Sequence, residues 1–171
     1  MSIILGLDPG SRQTGIGVIS FEKGAFSHIE HKVIKTSGDC LSERLHQIFT
    51  GICSTIHNTT PNIMAIEQVF FSKNAQSALK LGQARGAALT AAAHNGIEVT
   101  EYSPREIKQA IAGYGNATKH QIQHMVKILL KLTSTPPPDA ADALAIAICH
   151  CHHGAALAKL SRAKVTAGEG A

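Results

Sequence analysis

The sequence predicts an α/β fold in which a mixed sheet carries helices on both faces. Three short apolar segments come first and are separated by turn residues, which is typical of an antiparallel meander. The later apolar segments alternate with helical patterns, which is typical of parallel strands joined by helical crossovers. A chain of 171 residues has the length of one domain with an ordinary buried core.

The five strands are indicated by short apolar runs that stop at turn residues. The first run ends at Asp8-Pro9-Gly10, and the fourth, Ile63–Val69, contains Glu67 among Ile, Met, Ala and Val. We predict strands over residues 3–7, 14–20, 28–35, 63–69 and 97–102.

The helices are indicated by apolar residues at helical spacing and by their end signals. Pro61 lies just beyond the first helix, Asn95-Gly96 ends the second, and Pro104 begins a short one. We predict the longer helices over residues 41–58, 75–95, 118–132 and 139–153. Residues 1–155 form the predicted domain, and residues 156–171, which end in small and polar residues, form a disordered tail.

Composition narrows the class of protein. The hydrophobic fraction of 44% and charged fraction of 16% describe a folded globular chain, and the absence of Trp predicts an aliphatic core. The net charge of +4 is compatible with a polyanionic partner.

Cysteine use and the start of the chain favour a cytoplasmic protein without a membrane anchor. The N-terminus has no basic region or long apolar segment typical of a secretory signal, and no run approaches the ~20 apolar residues of a membrane span. A disulfide scaffold would be smaller and richer in cysteine, so we expect four reduced thiols. These are Cys40, Cys53, Cys149 and Cys151.

Acidic residues occur where catalytic groups commonly lie. Asp8 ends the first predicted strand, and Glu67 lies in a buried one, where an unpaired charge is costly. Asp139 and Asp142 are three residues apart near a helix start, so they share one face. Ordinary roles remain open, since Asp8 fits a turn and Asp139 fits an N-cap.

If the two strands are neighbours and the last helix packs on them, these four carboxylates converge. Hard oxygen ligands suit Mg²⁺, with Mn²⁺ as a substitute. Such a site in a basic chain predicts metal-dependent cleavage of a phosphodiester. We therefore assign Asp8, Glu67, Asp139 and Asp142 as candidate catalytic and metal-binding residues.

Candidate nucleic-acid contacts lie near these acids in the sequence. Phe70 and Phe71 follow Glu67 closely, and an exposed Phe can stack on bases, although both rings could equally fill the core. Lysines beside the Gly113–Asn116 loop can neutralise phosphates, although surface lysines are commonly only solvated. The basic candidates are Lys108 and Lys119, followed by Lys73 and Arg85.

Two further patterns concern the helices. Small residues between Ala75 and Asn95 permit close helix packing, either across a homodimer axis or against the sheet. The run Cys149–His153 resembles a metal cluster, but no second ligand pair lies at zinc-site spacing, so we interpret it as an ordinary helix end.

The ordered set of motifs resembles the RuvC family of bacterial Holliday junction resolvases over almost all of residues 2–153. The resemblance rests on residues 3–12 (IILGLDPGSR), 65–70 (AIEQVF), 73–75 (KNA), 81–86 (LGQARG), 123–126 (QHMV) and 139–145 (DAADALA).

The resemblance implies a ribonuclease H-like fold and a homodimer that makes paired symmetric nicks across a four-way DNA junction. It implies that the four acids bind Mg²⁺, that cutting occurs beside a short thymine-containing sequence, and that the RuvA–RuvB branch-migration complex is the cellular partner. It also favours Phe70 at the junction centre, with Lys108 and Lys119 on DNA.

Three other interpretations stay open at this point. A nuclease of the same fold could act on structured RNA. A nucleotide-binding protein of the actin or sugar-kinase type shares an Asp-x-Gly loop after a strand, although it needs two such lobes. A non-catalytic DNA-binding module leaves Glu67 and the Asp139/Asp142 pair without a role.

Overall fold

The computed structural model describes the backbone of residues 1–68 and 75–168 and the side chains of residues 1–68 and 75–154. The strands are β1 (Ser2–Asp8), β2 (Gln13–Glu22), β3 (Ala25–Lys35), β4 (Ile63–Glu67) and β5 (Glu98–Tyr102). The helices are α1 (Leu41–Thr59), α2 (Ala75–His94), α3 (Pro104–Ala112), α4 (Lys119–Leu129) and α5 (Pro138–Gly168).

The five strands form one mixed sheet in the order β3-β2-β1-β4-β5. The first three pair antiparallel, whereas β1–β4 and β4–β5 pair parallel. The meander and the helical crossovers predicted from the order of the segments are therefore confirmed.

Helices cover both faces, as predicted. On one face α1 and α2 pack through Ile48, Ile52, Ala88 and other residues against Leu5 and Ile66 of the sheet. On the other face α5 lies directly on β1 and β2, and α3 and α4 pack against α5. The core is aliphatic, since its largest fully buried side chains are Ile, Leu and Met.

Several boundaries differ from the sequence prediction: β2 and β3 are longer, with β3 beginning at Ala25, and α4 ends at Leu129 rather than residue 132. Two further differences concern the site and the last helix. The fourth strand ends at Glu67 rather than residue 69, so Glu67 is its last residue and is half-buried. The last helix continues to Gly168 rather than ending near His153, because the alanine-rich segment after His153 offers no helix-breaking proline. The division into a domain of residues 1–155 and a tail of residues 156–171 stays a prediction.

Two helices that flank the site begin with capping boxes. The Ser103 hydroxyl accepts from the Glu106 N–H at 3.3 Å, and the Glu106 carboxylate accepts from the Ser103 N–H at 2.8 Å. Thr118 and Gln121 repeat this arrangement at the start of α4. These reciprocal bonds satisfy free N–H groups and fix where each helix starts.

Within the described ranges, none of the helices combines the length and hydropathy that crossing a membrane requires. The four cysteines are all free thiols, and Cys149 and Cys151 are buried in the core under α5. Reduced cysteines were predicted from their small number in a chain of this length.

Candidate metal centre

Asp8 and Glu67 end two adjacent parallel strands and face the same side of the sheet. Side chains alternate along a strand, so residues two or four apart share a face. Ile4 of β1 and Ala65 of β4 belong to the core under α5. Asp8 and Glu67 lie on that face too, at the strand ends where α5 begins.

Glycines in β1 and β2 let α5 pack closely on the sheet at this point. A Cβ atom on Gly15 of β2 would overlap the carbonyl oxygen of Asp139, and one on Gly6 of β1 would overlap that of Ala143. Helix and strand backbones are thus in contact, which a larger residue would prevent. This close approach brings the acidic first turns of α5 to the end of β1.

The start of α5 is fixed by the proline segment before it. The helix begins at Pro138, so Asp139 lies in its first turn rather than at the N-cap position. The Ala141 N–H donates to the Pro137 carbonyl at 2.8 Å. Gln123 of α4 donates from Nε2 to the Pro136 carbonyl at 2.7 Å, which ties α4 to the segment that leads into Asp139.

The predicted acids converge in one cleft. Asp8, Asp139 and Asp142 each place a carboxylate oxygen within 4.8 Å of the others. Glu67 lines the same cleft of about 300 Å³ together with Asp8 and Asp142. Hard oxygen donors at this spacing fit a divalent cation of the Mg²⁺ or Mn²⁺ type.

Crowding of the acids changes how readily they ionise. Burial, followed by the charges of Asp142, Glu67 and Asp139, raises the pKa of Asp8 to about 7. Burial and then Asp142 also raise the pKa of Glu67, against the lowering effect of Lys108 and Lys119. A bound cation would relieve this repulsion, which is a second reason to regard the cluster as a metal site.

Both predicted lysines line the cleft. Lys108 projects from α3, and Lys119 is the first residue of α4. The Lys119 ammonium lies 2.7 Å from Asp142 Oδ2, and this hydrogen bond raises the pKa of Lys119. Positive charge therefore lies directly at the acidic centre.

Arg85 is not among the residues that line the cleft. Its side chain is only 13% exposed, and its Nη2 lies 2.5 Å from Glu101 Oε1 of β5. Its Nη1 donates to the carbonyl oxygen of Glu67 at 2.7 Å. Both terminal nitrogens of the guanidinium thus bind protein groups, whereas Arg85 was predicted from the sequence as a candidate for DNA contact.

Other candidates have different outcomes. Phe70, Phe71 and Lys73 lie outside the described residues. In the part of the chain whose side chains are described, the grouped metal ligands are Asp8, Asp139 and Asp142, and no cluster forms at Cys149–His153. That run lies within α5, where the Tyr102 hydroxyl and His150 Nδ1 are 2.9 Å apart and His152 Nδ1 donates to the Ala110 carbonyl at 2.9 Å.

Sequence reasoning missed three residues that shape the site. In the sequence, Gln123 looks like an ordinary polar residue of the α4 helix. Its position relative to Pro136, 13 residues away, does not indicate the hydrogen bond between them. Ile107 and Ile122 form part of the apolar wall of the cleft. Their helical periodicity marks them as buried, but it does not indicate that they border the acids.

The fold and site define a nuclease-type protein: a mixed sheet with helices on both faces whose strand ends and last helix present a carboxylate cluster. The sequence matches the family model of the crossover junction endodeoxyribonuclease RuvC over residues 4–150. It is 54% identical over 161 residues to that enzyme from Pseudoalteromonas atlantica, covering 94% of this chain and 93% of the relative. The chain therefore belongs to the RuvC family.

Other relatives and solved structures agree with this assignment. The RuvC enzyme of Klebsiella pneumoniae is 49% identical over 170 residues, with 99% and 98% of the two chains covered. RuvC of Thermus thermophilus in complex with a Holliday junction substrate superposes with a TM-score of 0.85 at 35% identity, covering 90% of this chain and 95% of that one. The yeast mitochondrial Holliday junction resolvase, with a TM-score of 0.60 at 12% identity, shares the fold. The expected ribonuclease H-like fold is thus confirmed.

Proposed function

We propose that this protein is a structure-selective endonuclease that resolves four-way DNA junctions by paired symmetric nicks in recombination and repair. The observation that carries the proposal is that Asp8, Glu67 and Asp142 line one cleft with two lysines, while Asp139 lies within 4.8 Å of Asp8 and Asp142. This arrangement occurs in a member of a family of crossover junction endodeoxyribonucleases.

The acids would hold Mg²⁺, with Mn²⁺ as a substitute. A divalent ion bound there supplies activation of water and stabilisation of the leaving oxygen of the phosphodiester. Asp8 has to lose its proton to act as a ligand, and its pKa of about 7 allows this near neutral pH. Glu67 and Asp142 line the cleft from two sides, while Asp139 approaches Asp8 from the first turn of α5.

The lysines would hold the phosphate backbone beside the scissile bond. Lys119 already sits at the acidic centre, 2.7 Å from Asp142. Lys108 of α3 lines the same cleft. Lysine charges on phosphate hold DNA in a salt-dependent way and carry no sequence information. Phe70 at the junction centre, which the family resemblance supports, and Lys73 on DNA complete the proposed contacts.

A homodimer would supply one site for each of two symmetric strands. Support comes from α2, where the large apolar side chain of Leu79 is 63% exposed. Gly82 and Gly86 lie one and two turns further along the helix and are exposed, and no described atom lies within 4 Å of a Cβ placed on either. Such a surface permits close approach of an identical helix across a two-fold axis.

The cellular setting follows from the family resemblance and the cysteines. We propose that the protein acts in the cytoplasm with the RuvA–RuvB branch-migration complex. The four free thiols are compatible with a reducing compartment. Co-purification of the chain with RuvA and RuvB on a four-way junction tests this partnership, and a junction that excludes the nuclease whenever RuvA and RuvB are bound would contradict it.

The central experiment compares two DNA substrates. A synthetic four-way junction and a linear duplex of matching sequence are incubated with the protein, with and without Mg²⁺. We expect symmetric nicks in the junction alone, and only when Mg²⁺ is present. Equal cutting of the duplex would show another substrate class, cutting of structured RNA would favour an RNA nuclease, and junction binding without cleavage would favour a binding module.

A further inference from the structure

Arg85 holds one peptide group at the end of β4. Its Nη1 donates to the Glu67 carbonyl at 2.7 Å, while the N–H of Gln68 donates to the Tyr102 carbonyl at 2.8 Å. The Glu67 carbonyl and the Gln68 N–H belong to the same peptide bond. This peptide plane is therefore bound from α2 on one edge and from β5 on the other, which fixes the backbone that carries the Glu67 side chain.

The guanidinium is itself held in place. Its second nitrogen, Nη2, pairs with Glu101, whose neighbour across the parallel ladder is Ile66. Ile66 packs in the core under α1 and α2, so Glu101 faces the same side. Glu101 therefore lies on the side of the sheet that carries α2. From there its carboxylate orients the Arg85 guanidinium toward the Glu67 carbonyl.

The metal cleft lies on the opposite side of the sheet. Glu67 is one residue beyond Ile66, and its side chain points to the α5 face with Asp8 and Asp142. Arg85 therefore acts on Glu67 through the backbone without entering the cleft. With both arms engaged and 13% of the side chain exposed, it has little surface to offer a phosphate.

We propose that Arg85 is a positioning residue of the metal site: it orients the Glu67 carboxylate toward the other acids by fixing the Glu67–Gln68 peptide, and it does not bind DNA. This inference rests on the proposed function, since it takes Glu67 as a metal ligand. Partners that orient ligands typically affect metal affinity or activity by about 10- to 100-fold. A lysine offers a single point charge in place of the planar fork and cannot reproduce both bonds in this geometry.

The first test measures Mn²⁺ binding by calorimetry in the absence of DNA. We expect Arg85→Gln to raise the Mn²⁺ dissociation constant by about tenfold or more, and Arg85→Lys to fall between it and the wild type. Lys127→Gln is the matched control, because it removes one positive charge on α4 at a position outside the cleft, and it should bind like the wild type. An unchanged dissociation constant in Arg85→Gln would overturn the proposal.

The second test separates positioning from DNA contact. Junction affinity is measured in metal-free buffer over a range of salt concentrations. We expect Arg85→Gln to keep the wild-type slope of log affinity against log salt, whereas Lys108→Gln should reduce that slope by about 1. A slope reduced by about 1 in Arg85→Gln would make Arg85 a phosphate contact and refute the proposal.

A third variant keeps the inference testable if Arg85→Gln does not fold, as judged by circular dichroism. Glu101→Ala leaves the arginine in place but removes the carboxylate that aims it, so the Mn²⁺ dissociation constant should still rise. Wild-type affinity in a folded Glu101→Ala would then overturn the proposal. Failure of the wild type to bind Mn²⁺ or cut junctions would instead reject the proposed function.

Discussion

Asp8 is a residue whose ionisation depends strongly on the fold. Its pKa is about 7 in the folded protein against an ordinary value of 3.8, because it is buried beside three other acids. The native state therefore binds a proton more tightly than the unfolded chain between these two values. The stabilising contribution of Asp8 is complete below pH 4 and is lost as pH rises through 7.

We therefore predict that Asp8→Asn stabilises the metal-free protein, and increasingly so between pH 4 and 8. Each unit of difference in pKa corresponds to about 1.4 kcal/mol, so the change should be measurable by urea unfolding at several pH values. At pH 8, saturating Mg²⁺ should make the wild type the more stable of the two proteins, because the ion stabilises only the wild type. A pH-independent difference between the two proteins would contradict this account of the cluster.

The same substitution should separate binding from cutting. Asparagine keeps the shape of Asp8 but removes a charged metal ligand, which should lower the single-turnover rate of junction cleavage by about 100-fold or more. Junction affinity in metal-free buffer should stay near the wild-type value, because binding depends mainly on phosphate contacts. Gel-shift and cleavage assays on the same junction measure the two quantities. Joint loss of both would indicate disrupted folding instead.

At the scale of the elements, the site depends on contact between α5 and the meander. The Gly15 position has no room for a Cβ, because the Asp139 carbonyl lies against it. We predict that Gly15→Ala destabilises the protein by about 1–3 kcal/mol, a typical cost of overpacking, and weakens Mn²⁺ binding. Gly154→Ala is the control, since no described atom lies within 4 Å of a Cβ placed on that helical glycine, and alanine favours helices. Equal stability of the two variants in chemical denaturation would contradict the packing argument.

The sequence was sufficient for elements whose signals are local. Alternating segments and crossovers gave the mixed sheet, and the positions of Asp8, Asp139 and Asp142 at element ends predicted a cluster that the structure contains. The extent of α5 and the role of Gly15 could not be predicted, because they depend on which helix packs on which strand. Arg85 shows the same limit: its charge is visible in the sequence, but its acceptors, Glu67 and Glu101, are distant along the chain.

At the scale of the whole molecule, paired nicking requires two sites in a fixed relation. We predict that the protein sediments as a dimer and that Leu79→Asp, on the exposed face of α2, shifts it to monomers and suppresses simultaneous nicking of both strands. Ile128→Asp serves as the control, because Ile128 is an apolar residue on α4 with 53% exposure. A wild-type monomer, or a Leu79→Asp variant that stays dimeric, would contradict this use of α2.

The claim that the whole account depends on is that the acids of β1, β4 and α5 together bind a divalent cation. Crystals grown with Mn²⁺ and measured at the manganese absorption edge test it most directly, because anomalous scattering locates the ion without reference to activity. The account predicts an anomalous peak within ligand distance, about 2.0–2.6 Å, of carboxylate oxygens from Asp8 and at least one of Glu67, Asp139 and Asp142. Saturating Mn²⁺ that supports cleavage but gives no peak in this cleft would contradict it.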